Sequence, residues 1–313
     1  MSETYLVTGG AGFIGSHLVE TLLNDGHTVR VVDNLSTGNP ANIEPFKDRI
    51  SFYAVDITDR AALDEPFAGV DYVLHQAAIP SVPRSVDDPL GTHDSNVNGT
   101  LHVLDAARQA GVKRVVYAAS SSAYGEIPGE YKQEKMSPAP LSPYAVAKLT
   151  GEYYCQSFYS VYGLETVALR YFNVFGPRQD PTSEYSAVIP LFITAMMDDH
   201  PPTVHGDGLQ SRDFTYVANV VRGNLLACKA PVAAAGKTIN MACGDSISLL
   251  DLIADINELL GTNIVPVHTP PRSGDIKHSR ADITRARELL GFEPVVSFKD
   301  GLQKTVEFFQ TIS

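Results

Sequence analysis

The chain contains no tryptophan, only three cysteines in 313 residues, and far fewer basic than acidic side chains. The last two shortages argue against classes of protein. Cys155, Cys228 and Cys243 are odd in number, widely spaced and form no CxxC pair, which speaks against a disulfide framework or a structural zinc site and for a reducing compartment. With 24 Lys and Arg against 36 Asp and Glu, the formal charge is −12, and neither nucleic acid nor an anionic membrane is expected as a partner. An anionic ligand must then be gripped by a few local arginines. No apolar run approaches the roughly 20 residues needed to cross a bilayer. The opening MSETYLVTGG has no basic stretch followed by an apolar one, so no secretion signal is read and a cytoplasmic setting is expected.

What is present is an ordinary globular composition, 44% hydrophobic and 19% charged, in a chain long enough for one large domain or two intimate ones. In the first half, β-rich runs alternate with helical patterns. Residues 4–8, 28–33, 50–55, 71–75, 114–119 and 166–172 read as strands; 13–26, the stretch near 95–110, and 143–162 carry apolar residues at helical spacing. Several strands are apolar at consecutive positions, as strands covered on both faces are. The pattern predicts an α/β protein, a Rossmann-type doubly wound parallel sheet. Beyond about residue 175 prolines punctuate shorter elements, which predicts a smaller C-terminal substrate-binding region, although 239–242 again looks like a strand.

In VTGGAGFIGSHL, Gly10, Gly12 and Gly15 fit G-x-G-x-x-G, and Gly9, Gly12 and Gly15 fit the looser G-x-x-G-x-x-G. Glycine is required where a tight turn brings backbone against a pyrophosphate. The helix opening near Phe13 then offers free N–H groups and its positive dipole end. The motif follows a strand and opens a helix, the context that gives it meaning. Asp33, at the end of the next strand, supplies the carboxylate that accepts from the ribose hydroxyls of NAD and repels the extra phosphate of NADP. NAD is therefore the expected cofactor. The division expected is residues 1–175, with 215–242, for NAD and mainly 176–313 for substrate.

Tyr-x-x-x-Lys occurs twice. Tyr131–Lys135 lies in PGEYKQEKMSPAP, which has no apolar face and reads as a surface loop. Tyr144–Lys148 lies in LSPYAVAKLTGEYY, where Ser142 and Pro143 resemble a helix start. Residues i and i+4 share a helix face, so the ammonium is expected to favour the phenolate and lower the tyrosine pKa. That makes Tyr144 a base able to take a hydroxyl proton as hydride leaves the same carbon. Upstream, Ser120, Ser121 and Ser122 place hydroxyls at a strand's C-terminal end, where ligands bind in such sheets.

Together these residues resemble the extended short-chain dehydrogenase/reductase family. The shared marks are TGGAGFIG, Asp33, Asp56 in AVDITD, HQAA (75–78), NVNGT (96–100), SSSAYG, SPYAVAK, LRYFNVFGPRQDP, SRDF (211–214) and RSGD (272–275), in the expected order over nearly the whole chain. Within it, the chain looks most like UDP-sugar 4-epimerases, especially the bacterial kind acting on UDP-N-acetylglucosamine. The resemblance implies that Ser120 hydrogen-bonds the reacting O4 and Tyr144, and that Lys148 also holds the nicotinamide ribose. It implies cofactor contacts at Gly9, Gly12, Phe13, Ile14, Asp33, Asn34, Ser36, Thr37, Gly38, Asp56, Ile57, Gln76, Ala77, Ala78, Asn96 and Tyr171. It implies substrate contacts at Ser121, Ser122, Asn173, Ala187, Val188, His205, Arg212, Arg272, Asp275 and Ser279, with the two arginines clamping the diphosphate and no metal involved. It further implies a 4-keto intermediate that rotates and is reduced from its other face, NAD that stays bound, and a homodimer. The dimer would form through a four-helix bundle of the helices near 95–110 and 143–162.

Dehydratases of the family carry an acidic pair where Ser121 and Ser122 stand, which argues against dehydration. Asp33 opposes the NADP-dependent reductases. UDP-glucuronate epimerases and decarboxylases stay open, as does activity on UDP-glucose and UDP-galactose alone. A non-catalytic NAD-binding regulator would be expected to lack Tyr144, Lys148 or the arginines. A small residue at Ser279 and at Ala187 leaves room for an N-acetyl group, which favours UDP-GlcNAc and UDP-GalNAc; in this family a tyrosine at the Ser279 position goes with UDP-glucose and UDP-galactose alone.

Overall fold

The computed structural model describes residues 2–181, 187–271 and 277–312. Its centre is a sheet of seven parallel strands, β1 (Thr4–Thr8), β2 (Thr28–Val32), β3 (Ile50–Tyr53), β4 (Tyr72–His75), β5 (Arg114–Ser120), β6 (Glu165–Tyr171) and β7 (Lys237–Met241), in the order 7-6-5-4-1-2-3. This is the doubly wound arrangement expected, with the chain reversing direction across the sheet between β1 and β4. The strands alternate between two apolar layers. Val7, Val31, Val116, Leu169 and Ile239 join one core cluster, and Leu6, Val32, Val73, Val115, Tyr117 and Ala168 the other. Both faces are thus dry, which is why the strands read as continuous apolar runs.

Four helices matter below: α1 (Phe13–Asn24), α2 (Gly99–Gln109), α3 (Pro143–Tyr162) and α4 (Val217–Lys229). α3 has the bounds its sequence predicts. Ser142 caps it by accepting from the Ala145 N–H at 3.1 Å, Pro143 opens it, and Gly163 ends it in the left-handed region at φ 74°. The stretch near 95–110 is less regular than its spacing suggested. Asp94–Asn98 forms a π turn before α2 begins, and within it Asn96 turns inward and uses its amide on both backbone groups of Ile79, at 2.8 and 3.1 Å.

Beyond residue 175 the chain builds a smaller region from the helices Val188–Met197, Leu249–Leu260, Thr284–Leu290 and Phe298–Ile312 and from short two- and three-stranded sheets. It returns to the main sheet once, through α4 and β7. The segment containing Tyr131 and Lys135 is not the free surface loop its composition indicated. Lys132 is buried and bridges Ala281, while Glu134 accepts from the Asn240 N–H at 2.9 Å, so the segment covers the edge at β7. The polar side chains suit that task because they satisfy the open backbone groups of an edge.

α3 lies close against β5 because Gly151 has no side chain. A Cβ there would stand 2.3 Å from the Tyr117 hydroxyl. Gly151→Ala is expected to push the helix off the sheet and destabilise the protein by about 1–3 kcal/mol, read as a lowered melting temperature.

Candidate active site

The glycine turn is built by contact. Gly9 takes φ 68°, and a Cβ there would sit 2.7 Å from the Ala77 nitrogen; at Gly15 it would sit 2.0 Å from the Gly9 carbonyl oxygen. Gly12, at the N-cap of α1, is different. A Cβ there would meet only the Gly9 carbonyl, at 3.2 Å, and no side chain caps the helix. Open space above uncapped N–H groups fits a pyrophosphate. Phe13 and Ile14 form the first helical turn, both half-buried.

Asp33 is buried, and its oxygens accept from the N–H groups of Ala11 at 2.9 Å and Leu35 at 2.8 Å. It braces the glycine turn and still has acceptor capacity for two ribose hydroxyls. Gly38 lies against this carboxylate, while Asn34, Ser36 and Thr37 stand exposed beyond it. Asn34 donates to Asp56 at 2.7 Å. Burial raises the Asp56 pKa, but hydrogen bonds from Thr58 and Asn34 outweigh it and hold the carboxyl below its ordinary value. Ile57 is buried under α2, packed on Gly99.

At the end of β4, Gln76 donates to the Tyr171 hydroxyl at 3.1 Å, which in turn donates to Asn224 of α4 at 3.0 Å. Ala77 and Ala78 follow, half-buried, with the Ala77 N–H on Thr8 Oγ1 at 3.2 Å. His75 is clamped between Thr8 at 2.7 Å and Thr100 at 3.0 Å. Thr100 already donates to the Asn96 carbonyl, so Nε2 of His75 is the donor to Thr100 and Nδ1 the acceptor from Thr8. Asn96 therefore meets the cofactor region through the 79–80 loop it holds rather than by a free amide.

Ser120 ends β5 and caps the turn Ser121–Tyr124 by accepting from the N–H and hydroxyl of Ser122, at 3.1 and 2.8 Å. Its hydroxyl lies beside the Tyr144 phenol. Burial pushes the Tyr144 phenol above its ordinary value, and the bond to Ser120 pulls it back. The expected lowering by Lys148 is not what the geometry delivers. The Lys148 ammonium turns to the sheet, donating to the Ala118 carbonyl at 2.8 Å and standing 5.1 Å over the Tyr117 ring. Burial brings its pKa down to about 8, so at neutral pH it still carries a proton.

Two of the substrate candidates share a three-stranded sheet. Arg212 and Ser279 are register partners, and Arg212 donates to the Ser211 carbonyl at 2.9 Å. Asp213, beside them and unremarked in the sequence, is fully buried and collects the N–H groups of Cys243, Gly244 and Ala281 at 3.0–3.1 Å. Burial pushes it up to about 7 against those three donors. Its carbonyl accepts from Asn173, an exposed residue at φ 27°, at 3.4 Å. Ala187 is exposed at the start of the helix Val188–Met197. His205 is engaged by Thr269 at 2.8 Å in a separate two-stranded sheet. Arg272 and Asp275 lie outside the described residues. Among the described residues no group of His, Cys, Asp and Glu could hold a metal, and no helix is long and apolar enough to cross a membrane.

A parallel doubly wound sheet with a pyrophosphate cradle, a ribose carboxylate and a tyrosine–lysine pair at its C-terminal edge defines a dinucleotide-dependent enzyme of the short-chain dehydrogenase/reductase type. Residues 5–242 match the model of the NAD dependent epimerase/dehydratase family, and the chain belongs to that family. A UDP-glucose 4-epimerase from Mycolicibacterium smegmatis is 41% identical over 313 residues, covering 98% of this chain and 99% of that protein. Among solved structures, the UDP-N-acetylglucosamine 4-epimerase of Methanobrevibacter ruminantium, in complex with UDP-N-acetylmuramic acid, is 40% identical at TM-score 0.95 over the whole of both chains. The UDP-glucuronic acid 4-epimerase of Bacillus cereus, in complex with UDP-glucuronic acid and NAD, is 34% identical at TM-score 0.91 over 99% of this chain and 100% of that one. The expectation of an NAD-dependent enzyme of the extended family holds.

Burial pushes the His75 pKa down to about 3, whereas the unfolded chain titrates near 6.5. The native state therefore refuses a proton that the unfolded state accepts. Stability from this residue is complete well above pH 6.5 and is lost as pH falls, by about 2 kcal/mol between pH 6.5 and 4.5. Chemical denaturation across that window should show a shallower pH dependence for His75→Asn than for the natural protein, although the variant is less stable at pH 7.

Proposed function

We propose that this enzyme is a cytoplasmic 4-epimerase of UDP-hexoses, most active on UDP-GlcNAc and UDP-GalNAc and with some activity on UDP-glucose and UDP-galactose. The observation that carries it is the pairing of Ser120 with Tyr144 at the C-terminal end of the sheet, together with the strand pair that bears Arg212 and Ser279. NAD, held by the glycine turn, Asp33 and the ends of β2 and β4, supplies a hydride acceptor and donor for C4 of the sugar. The residues 1–175 with 215–242 hold it, and the remainder of 176–313 holds the sugar nucleotide.

Tyr144 takes the proton of the 4-hydroxyl, and Ser120, donating to the phenol oxygen, stabilises the phenolate that does so. The adjacent Lys148 charge, when drawn from Ala118 to a ribose hydroxyl, adds to that stabilisation. Asn173 and Arg212, with Arg272 and Asp275, hold the uridine diphosphate, so the hexose beyond it is free to turn and present either face. Ser121 and Ser122 lie toward the sugar. Neither is acidic, so nothing there promotes elimination of water. Ala187, Val188, His205 and Ser279 line the sugar end, and the small Ser279 leaves room for a 2-acetamido group.

We also propose a homodimer. The large exposed apolar residues Val86, Leu90, Val146 and Tyr153 lie on α3 and on the helices Val82–Asp87 and Pro89–His93 packed against it. α2 exposes no large apolar residue, so it is the 82–93 segment that joins α3 in the paired surface, rather than residues 99–109.

Assay of the four UDP-hexoses with coupled detection tests the substrate. UDP-GlcNAc and UDP-GalNAc should be interconverted most efficiently, and activity confined to the unacetylated pair would overturn that preference. Tyr144→Phe should lower kcat by about 100-fold or more with NAD content unchanged. Light scattering of the natural protein should give twice the 33.8 kDa chain mass, and Leu90→Asp with Tyr153→Arg should give the monomer.

A further inference from the structure

Two turns along α3 from Tyr144, on the face shared with Lys148, lies a carboxylate that proton transfer does not use, Glu152. It is 4% exposed, and its partner Arg170 on β6 is 3% exposed. Nε of Arg170 donates to one carboxylate oxygen at 2.8 Å and Nη2 to the other at 2.7 Å, a bidentate fork. Thr238 of β7 donates to the same carboxylate at 3.5 Å. Two charges removed from water contribute little net stability, and apolar residues of similar volume often serve as well or better. Stability is therefore a poor reason for this pair.

Its placement offers a better one. Arg170 sits between Ala119 of β5 and Asn240 of β7, one residue before Tyr171, the register partner of Ser120. Its guanidinium stands 4.5 Å over the ring of Tyr124, which closes the turn that Ser120 opens. The Tyr124 hydroxyl is fixed in turn on Asn240 at 2.7 Å. One side chain thus grips the helix carrying Tyr144 and Lys148 through Glu152, and the turn carrying Ser120 through Tyr124. The neighbouring apolar contacts of α3 tolerate small slides and rotations; a planar two-bond fork does not.

We propose that Glu152 and Arg170 are positioning residues, a buried fork that fixes the height and rotation of α3 on the sheet and thereby the contact between Tyr144 and Ser120. The inference rests on Tyr144 as the base. A misplacement near 1 Å in such a contact costs up to about 100-fold in rate.

The test compares three NAD-containing variants with the natural protein on whichever UDP-hexose it turns over fastest. Glu152→Leu combined with Arg170→Met removes both charges. It should keep the melting temperature, NAD content and KM while kcat falls about 10- to 100-fold. Arg170→Lys keeps a charge without the fork and should lose kcat with KM unchanged. A double variant with the natural kcat overturns the proposal, as does one whose NAD content falls in step with its rate. If the double variant does not fold, Arg170→Lys decides alone, and the natural kcat in that variant overturns it. Tyr144→Phe, run alongside, separates the two layers: full activity there refutes the base assignment, whatever the fork variants do.

Discussion

The site is organised around a buried cation that no carboxylate neutralises among the described residues. Lys148 is 4% exposed, with its ammonium on the Ala118 carbonyl and over the Tyr117 ring. Keeping a charge in such a place costs several kcal/mol, which the surrounding packing must offset. Gly151 brings α3 close enough for Lys148 to reach the strand, and Cys155 and Phe158 continue the same buried face into the core. His75, under the same ring, stays neutral partly because this charge is near. Burial makes the lysine readier to release its proton and the tyrosine more reluctant. The bare protein therefore keeps the Tyr144 phenol protonated beside a charged lysine, and the Ser120 hydroxyl is the group that favours the phenolate.

The sheet order supplies the rest. The cradle comes from the β1 turn, the ribose carboxylate from the end of β2, the Gln76–Ala78 rim from β4 and the hydroxyl from β5, all at one edge. The residues proposed for substrate come mainly from the later region. There the Asp213 carboxylate holds the 243–244 turn and Ala281 while its carbonyl accepts from Asn173, so the proposed sugar-nucleotide end is braced by a residue outside the chemistry.

Much of this was legible from sequence. Strands covered on both faces announce themselves as apolar runs, and the glycine turn and Asp33 sit at the spacing their task demands. α3 could be bounded from Ser142, Pro143 and Gly163 because caps are local chemistry. The exceptions are long-range. Nothing in NVNGT says that Asn96 will turn in to hold Ile79 within a π turn. Nothing in PGEYKQEKM says that Lys132 will be buried along a sheet edge, since its partners lie at 240 and 280–282. The Lys148–Tyr144 spacing puts both residues on α3, yet the direction of the ammonium depends on a carbonyl 30 residues away. Glu152, a lone acid on an otherwise buried stretch of α3, and Asp213, next to Arg212, carried a visible signal.

The central claim is that Tyr144 and bound NAD move a proton and a hydride off C4 of a UDP-hexose and return the same hydride to the other face. UDP-GlcNAc labelled with deuterium at C4, incubated with the NAD-containing protein in ordinary water and analysed by NMR, tests it most directly. UDP-GalNAc should form with the deuterium retained at C4. Epimer with the label washed out to solvent, or no epimer from any UDP-hexose so labelled, would contradict the account.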